Sequence, residues 1–306
     1  MSIISSSCSC IEHCSNLENF LHSVTPITNH ASVPINTSRV EEANGESNKA
    51  HLKLQDIWEI YDEWSACGVG VPVILKNGEQ VVQYYVPYLS AIQIFMKKPK
   101  SSTSLEEEID VVALRHGSPT EDDDDDDDSS PKTKEVTSKG FEIDHNYCHI
   151  LVDRGNLYIQ FYETCSPYLR VPFIDKIIEL AQSYQGLFTF SINDISPASW
   201  MSVAWYPIYH IPGRVQICKD LCACFLTFHA LSSSFQGKNK EEGVQNDENK
   251  LDQFVPFGLA TYKMQEGDVW NNSDSDKEKI KDLHVCASSW LKKFHIQHPD
   301  HIFFTQ

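Results

Sequence analysis

The sequence predicts an α+β fold: a mainly antiparallel sheet with its central strand near residues 201–209, three main helices flanking it, and long disordered inserts. Three observations carry this. Residues 196–212 (SPASWMSVAWYPIYHIP) are apolar on both alternating faces, the signature of a strand covered on both sides. Residues 71–75 (VPVIL) and 81–86 (VVQYYV) flank Asn77-Gly78, a tight hairpin signal. Most neighbouring strand patterns lack a helix between them, which favours antiparallel pairing.

In chain order, Ser15 to Glu18 form a capping box, with Leu17, Phe20, Leu21 and Val24 at helical spacing behind it. Pro26 closes that short helix, placed at 16–24, and residues 27–50 are polar and aperiodic. Residues 1–50 therefore read as a mostly flexible N-terminal segment, and 51–306 as a single domain. Leu54, Ile57, Trp58, Tyr61 and Trp64 mark an amphipathic helix over 52–66, stopped at Gly68 and Gly70. After the hairpin, Pro87 separates its second strand from a third at 89–96.

Residues 97–140 break the pattern. The stretch 101–130 holds twelve carboxylates, including the run Asp122 to Asp128, against Arg115 alone; eleven of the net 18 negative charges sit there. Seven adjacent aspartates repel one another and resist burial, so disorder is expected. Beyond it come a strand at 157–163, a helix at 173–184, a short strand at 187–190 and the central strand. Further strands follow at 222–229 and 257–263, and a last helix at 277–294, with Pro299 ending any helix near it. Residues 232–252 and 265–279 read as further disordered inserts.

The net charge of −18 argues against nucleic acid as a partner. Ten scattered cysteines point to buried thiols in a reducing compartment, the cytosol or nucleus. No apolar run reaches transmembrane length, and the N-terminus lacks the basic start and apolar core of a secretory signal. Cys8, Cys10 and Cys14 are potential palmitoylation sites, but chance cysteines in a tail explain them as well.

Several blocks together resemble a plant family known as domain of unknown function 789: residues 15–26, 56–75, 81–95, 157–177, 196–212, 220–231 and 255–263, in that order. The long motif from Trp200 to Pro207 is the most specific. The resemblance implies a plant protein with variable polar inserts. It implies no reaction, ligand, cofactor or catalytic residue. His210 and Cys222 depart from it, since Arg and Asp are usual there.

No phosphate-loop, zinc-protease or nucleophile-elbow motif is present. Cys218, Cys222, Cys224 and His229 are zinc-compatible types at an unsuitable spacing. His295, His298 and His301 recur at three-residue steps beside Pro299. Cys67, Cys148 and Cys165, with His145 and His149, are the raw material for a thiol nucleophile. Tyr84, Tyr88, Tyr158, Tyr162 and Tyr206 form a candidate interaction surface, in which Tyr84 and Tyr88 share a face, as do Tyr158 and Tyr162. Ser130 and Ser275 are candidate phosphorylation sites. The sequence thus reads as a non-catalytic protein-interaction or regulatory module needing no cofactor or metal, with an unidentified protein partner. The alternative is an enzyme of unassigned class, such as a hydrolase, with a Cys/His site near the central strand.

Overall fold

The computed structural model describes residues 14–29, 52–98, 154–208, 221–232, 251–265 and 267–306, except for the side chains of Asn29, Leu251 and Asp252. Chain contacts define one unit of Met1–Lys97 with Asp153–Gln306, and a second of Lys98–Val152, which apart from Lys98 lies outside the described residues. Apart from Lys97 and Lys98, the expected insert at 97–140 lies outside them, as does nearly all of the one at 232–252.

The fold is α+β, with a mostly antiparallel sheet. Its elements in order are α1 (Asn16–Ser23), β1 (Ile27–Asn29), α2 (Leu54–Cys67), β2 (Val69–Ile74), β3 (Gln80–Met96) and β4 (Asn156–Tyr162). There follow a 3-10 turn (Pro167–Leu169), α3 (Phe173–Ala181), α4 (Gly186–Thr189), β5 (Trp200–Pro207), β6 (Cys224–Ala230), β7 (Leu251–Gln253), β8 (Gly258–Tyr262), α5 (Asp274–Lys293) and α6 (Pro299–Phe304). The main sheet runs β2-β3-β5-β6-β8, with β4 also paired to β3, while β1 and β7 form a separate two-stranded ribbon. As expected, the apolar strand β5 is central.

β3 corrects the sequence reading, which breaks the chain at Pro87. It is one strand of 17 residues. One edge pairs β5 over Tyr85 to Gln93; the other pairs β2 up to Tyr85 and β4 from Ala91 onward. The Ile208 N–H donates to the Tyr84 carbonyl, so Tyr84 turns its backbone toward β5. By alternation Pro87 turns to the other edge, in the gap between β2 and β4, where its missing N–H leaves no ladder bond unmade. The hairpin is also wider than a two-residue turn. Leu75 and Glu79 close a three-residue loop, and Gly78 takes φ 82°, a conformation suited to glycine.

β5 shows how the layers form. Its odd residues Met201, Val203 and Trp205 join the core beneath α1, α2 and α3, while its even residues face α5 and α6. On the first face Phe20 stacks on Phe225 at 4.0 Å and Tyr61 on Phe173 at 4.1 Å. Trp58 donates its indole N–H to the Leu187 carbonyl at 2.6 Å, fixing α4 against α2.

Four expectations fail for identifiable reasons. The short helix expected at 16–24 forms as α1, but it is built into the fold and does not merely precede a domain starting at residue 51: Leu17, Phe20 and Val24 are fully buried, each such side chain adding about 2 kcal/mol. The insert expected at 265–279 contains Val269 and Trp270, both in the core, and α5 begins inside it at a Ser273 cap. One buried apolar pair in a polar stretch has no periodicity to detect. Residues 186–189 are helical, because their amides turn back on Tyr184 and Gln185 carbonyls. Pro299 starts α6, occupying the first turn, where a proline's missing N–H would have no helical partner anyway.

Candidate functional site

On the α5/α6 face, the even residues of β5 reach a buried polar cluster. Trp200 donates to Gln93 Oε1 at 2.8 Å, and Gln93 Nε2 in turn donates to Gln160 Oε1 and the Tyr162 hydroxyl at 2.8 and 2.9 Å. Between Leu89 and Ala91 the β3–β5 register slips, and Ser90 is the extra residue. This bulge re-aims its side chain, so that the Ser90 hydroxyl donates to Asp300 Oδ2 at 2.5 Å. Asp300 also takes the two-pronged guanidinium of Arg170 at 2.7 and 2.6 Å, and Arg170 Nε donates to the Cys165 carbonyl at 2.9 Å. The Arg170 and Asp300 side chains are only 4% and 5% exposed.

Ser202 and His298 have the residue types and the distance of a nucleophile and its base, 2.8 Å from Oγ to Nε2. The proton is in the wrong place. His298 caps α6, its Nδ1 accepting from the His301 N–H at 3.1 Å. Burial lowers its pKa to about 4, so the ring is neutral and carries its one proton on Nε2. Nε2–H therefore donates to Ser202, whereas a general base must accept from it. Asp300, the nearby carboxylate, is engaged by Arg170 and Ser90. The pair fastens α6 to the sheet.

His229 carries its proton on the other ring nitrogen, and what closes it is burial, since it and Thr227 are both fully buried. Its Nδ1–H donates to the Phe254 carbonyl at 2.8 Å, and Nε2 meets the Thr227 hydroxyl at 2.8 Å, which accepts from the Trp205 indole. Its burial also lowers the pKa to about 4. Cys224 points to the opposite face of β6, where burial pushes its thiol up to about 12, and Cys218 lies outside the described residues. Among the described residues, no three His, Cys, Asp or Glu side chains gather closely enough to hold a metal ion.

The thiol candidates fare similarly. Cys165 is exposed, but its hydrogen bond to Glu163 and that carboxylate's charge raise its pKa, the reverse of activation. Cys148, His145 and His149 lie outside the described residues. A shallow cleft of about 300 Å³ beside Cys14, Asn16 and Lys76 shares no residue with the polar cluster under α6.

The five tyrosines do not form one surface. Tyr88 and Tyr206 meet edge to face at 5.8 Å, and Tyr206 contacts Phe304 of α6. Tyr162 lies against Gln93 and His298. Tyr158 is held elsewhere: the β3–β4 register skips it, and its hydroxyl accepts from the Gly186 N–H at 2.9 Å while its ring meets Tyr184 and Phe190. Tyr84 alone of the five is exposed, at 41%, beside exposed Val82 and Ile74. Of the phosphorylation candidates, Ser275 is exposed in the first turn of α5 and Ser130 lies outside the described residues.

Sequence reasoning missed the most exposed apolar side chains among the described residues. Tyr168 is 97% and Leu169 76% exposed on the 3-10 turn, followed by exposed Val171 and, on α3, Ile178. The signal in the sequence is an apolar pair, Tyr168-Leu169, between Pro167 and Pro172.

A family model described as "Protein of unknown function (DUF789)" matches residues 15–304. The chain belongs to this family. No curated protein and no solved structure matches it. Among the described residues of this DUF789 chain, no helix is long and apolar enough to cross a membrane.

Proposed function

We propose that this DUF789 protein is a non-catalytic protein-interaction module of a plant cell, acting in the cytosol or nucleus as one α+β domain interrupted by polar inserts. The observation that supports it is the exposed pair Tyr168 and Leu169 on a turn whose next residue, Arg170, is locked to Asp300. A large ring held open on a stiff turn binds a protein pocket with little loss of conformational freedom. Val171 and Ile178 extend the strip, and exposed Asp175 and Glu179 flank Ile178 on α3. That chemistry suits a partner with an apolar pocket rimmed by Lys or Arg.

Proximity labelling in plant cells should compare the native chain with a Tyr168→Ser/Leu169→Ser variant. The labelled protein set should shrink, while the unfolding free energy of the purified variant stays within about 0.5 kcal/mol of the native value. An unchanged set with intact folding overturns this reading.

A further inference from the structure

Among the described residues, three serine or threonine residues precede a proline: Thr25, Ser166 and Ser196. Two are inaccessible. Thr25 is 7% exposed, its hydroxyl donating to the Leu21 carbonyl at 2.7 Å. Ser196 is 1% exposed, its Oγ accepting from the Ala198 N–H and its own N–H donating to the Phe95 carbonyl. Ser166 differs in every respect. It is exposed, its hydroxyl caps nothing on the turn it precedes, and its backbone is extended at φ −62° and ψ 153°. The turn behind it carries two backbone bonds, from Leu169 N–H to the Ser166 carbonyl at 2.9 Å and from Arg170 N–H to the Pro167 carbonyl at 3.5 Å, and is anchored at its far end by the Arg170 side chain.

We infer that Ser166 is a phosphate acceptor for a proline-directed protein kinase using magnesium-ATP. Such an enzyme takes its substrate as an extended segment and selects proline after the acceptor, a residue with fixed φ and no N–H to satisfy. Ser166 itself has the extended backbone; the 3-10 turn of Pro167–Leu169 after it, from which Tyr168 and Leu169 project clear of the domain, would open on the enzyme. In the transfer, Ser166 Oγ attacks the γ-phosphorus in line. The Oγ–P bond forms as the bond from phosphorus to the ADP oxygen breaks, and the hydroxyl proton passes to the kinase's catalytic aspartate.

The product has an electrostatic consequence. A phosphoserine brings close to two negative charges two residues ahead of Tyr168. Phosphorylation would turn an apolar projection into a charged one. The acceptor chemistry goes beyond the interaction reading and needs only the exposed serine, so its test reports on Ser166 whether or not the turn binds a partner.

The test is phosphosite mapping by mass spectrometry on the purified full chain. The kinase is a proline-directed one first shown active on a short serine–proline peptide. The expected result is phosphate on Ser166 exceeding that on Ser196 by more than about a hundredfold, because burial confines Ser196 to rare openings. Ser166→Ala and Pro167→Ala should each remove the signal. A bare Ser166, or Ser166 and Ser196 labelled alike, overturns the inference.

Discussion

Asp300 illustrates how much a single side chain holds together. It neutralises Arg170 from the turn, accepts from Ser90 at the β3 bulge, and stands in the first turn of α6. Removing its charge leaves a buried guanidinium uncompensated, so Asp300→Asn should lower stability by about 3 kcal/mol, read from the denaturant midpoint. An Arg170→Met/Asp300→Leu double variant should recover most of that loss, because neither charge then needs a partner. His298 and His229 add a pH dependence. Both are neutral when folded, with pKa values lowered to about 4 by burial, against an unfolded value near 6.5. Between these values the unfolded chain binds more protons, so stability falls as pH drops from about 6.5 to about 4, and neither group adds further loss below that window. Each contributes up to about 3 kcal/mol to the fall. Urea titrations at pH 7 and pH 5 should show it, and His298→Asn, which keeps a capping acceptor, should remove one proton from the slope. Equal midpoints at the two pH values would rule this account out.

At the scale of elements, α5 rests on β8 through a close approach. A Cβ at Gly258 would lie 2.9 Å from Ala287 Cβ and 3.1 Å from its Cα, so only glycine allows the helix this near. Gly258→Val should cost about 1–3 kcal/mol and speed amide exchange in α5 more than in α2. Equal protection in both helices would show that the helix does not depend on that contact. Element type was legible wherever periodicity ran long. The capping box of Ser15 and Glu18 forms with both of its bonds, and the stripe of Leu54, Ile57, Trp58 and Tyr61 is the buried face of α2. Pro87 was misread because a proline's meaning in a strand depends on which edge is paired, and pairing is not local. Pro299 was misread because a helix start and a helix stop are both compatible with proline, at different positions.

For the whole molecule, the two-layer covering of β5 explains why reactive residue types do not by themselves make a reactive site. Ser202, His298, His229 and Cys224 carry reactive groups, yet the fold uses each as a fastening or a buried filler. The exposed residues of the turn are chemically plain, and the proposed function rests on them. Tyr158 departs from the face expected for it because strand alternation places side chains correctly only while the register is unbroken, and Tyr158 lies at a slip.

By itself the sequence determined the α+β class, the centrality of the strand ending at Pro207, most helix positions and the strong acidity, since these follow from local periodicity, composition and charge. Only the tertiary structure decided that α1 and Trp270 belong to the core, which proton His298 carries, and that Tyr168 rather than Tyr158 faces water. Each of these depends on which distant segments meet, because burial, tautomer and exposure are properties of a residue's surroundings and not of its place in the chain.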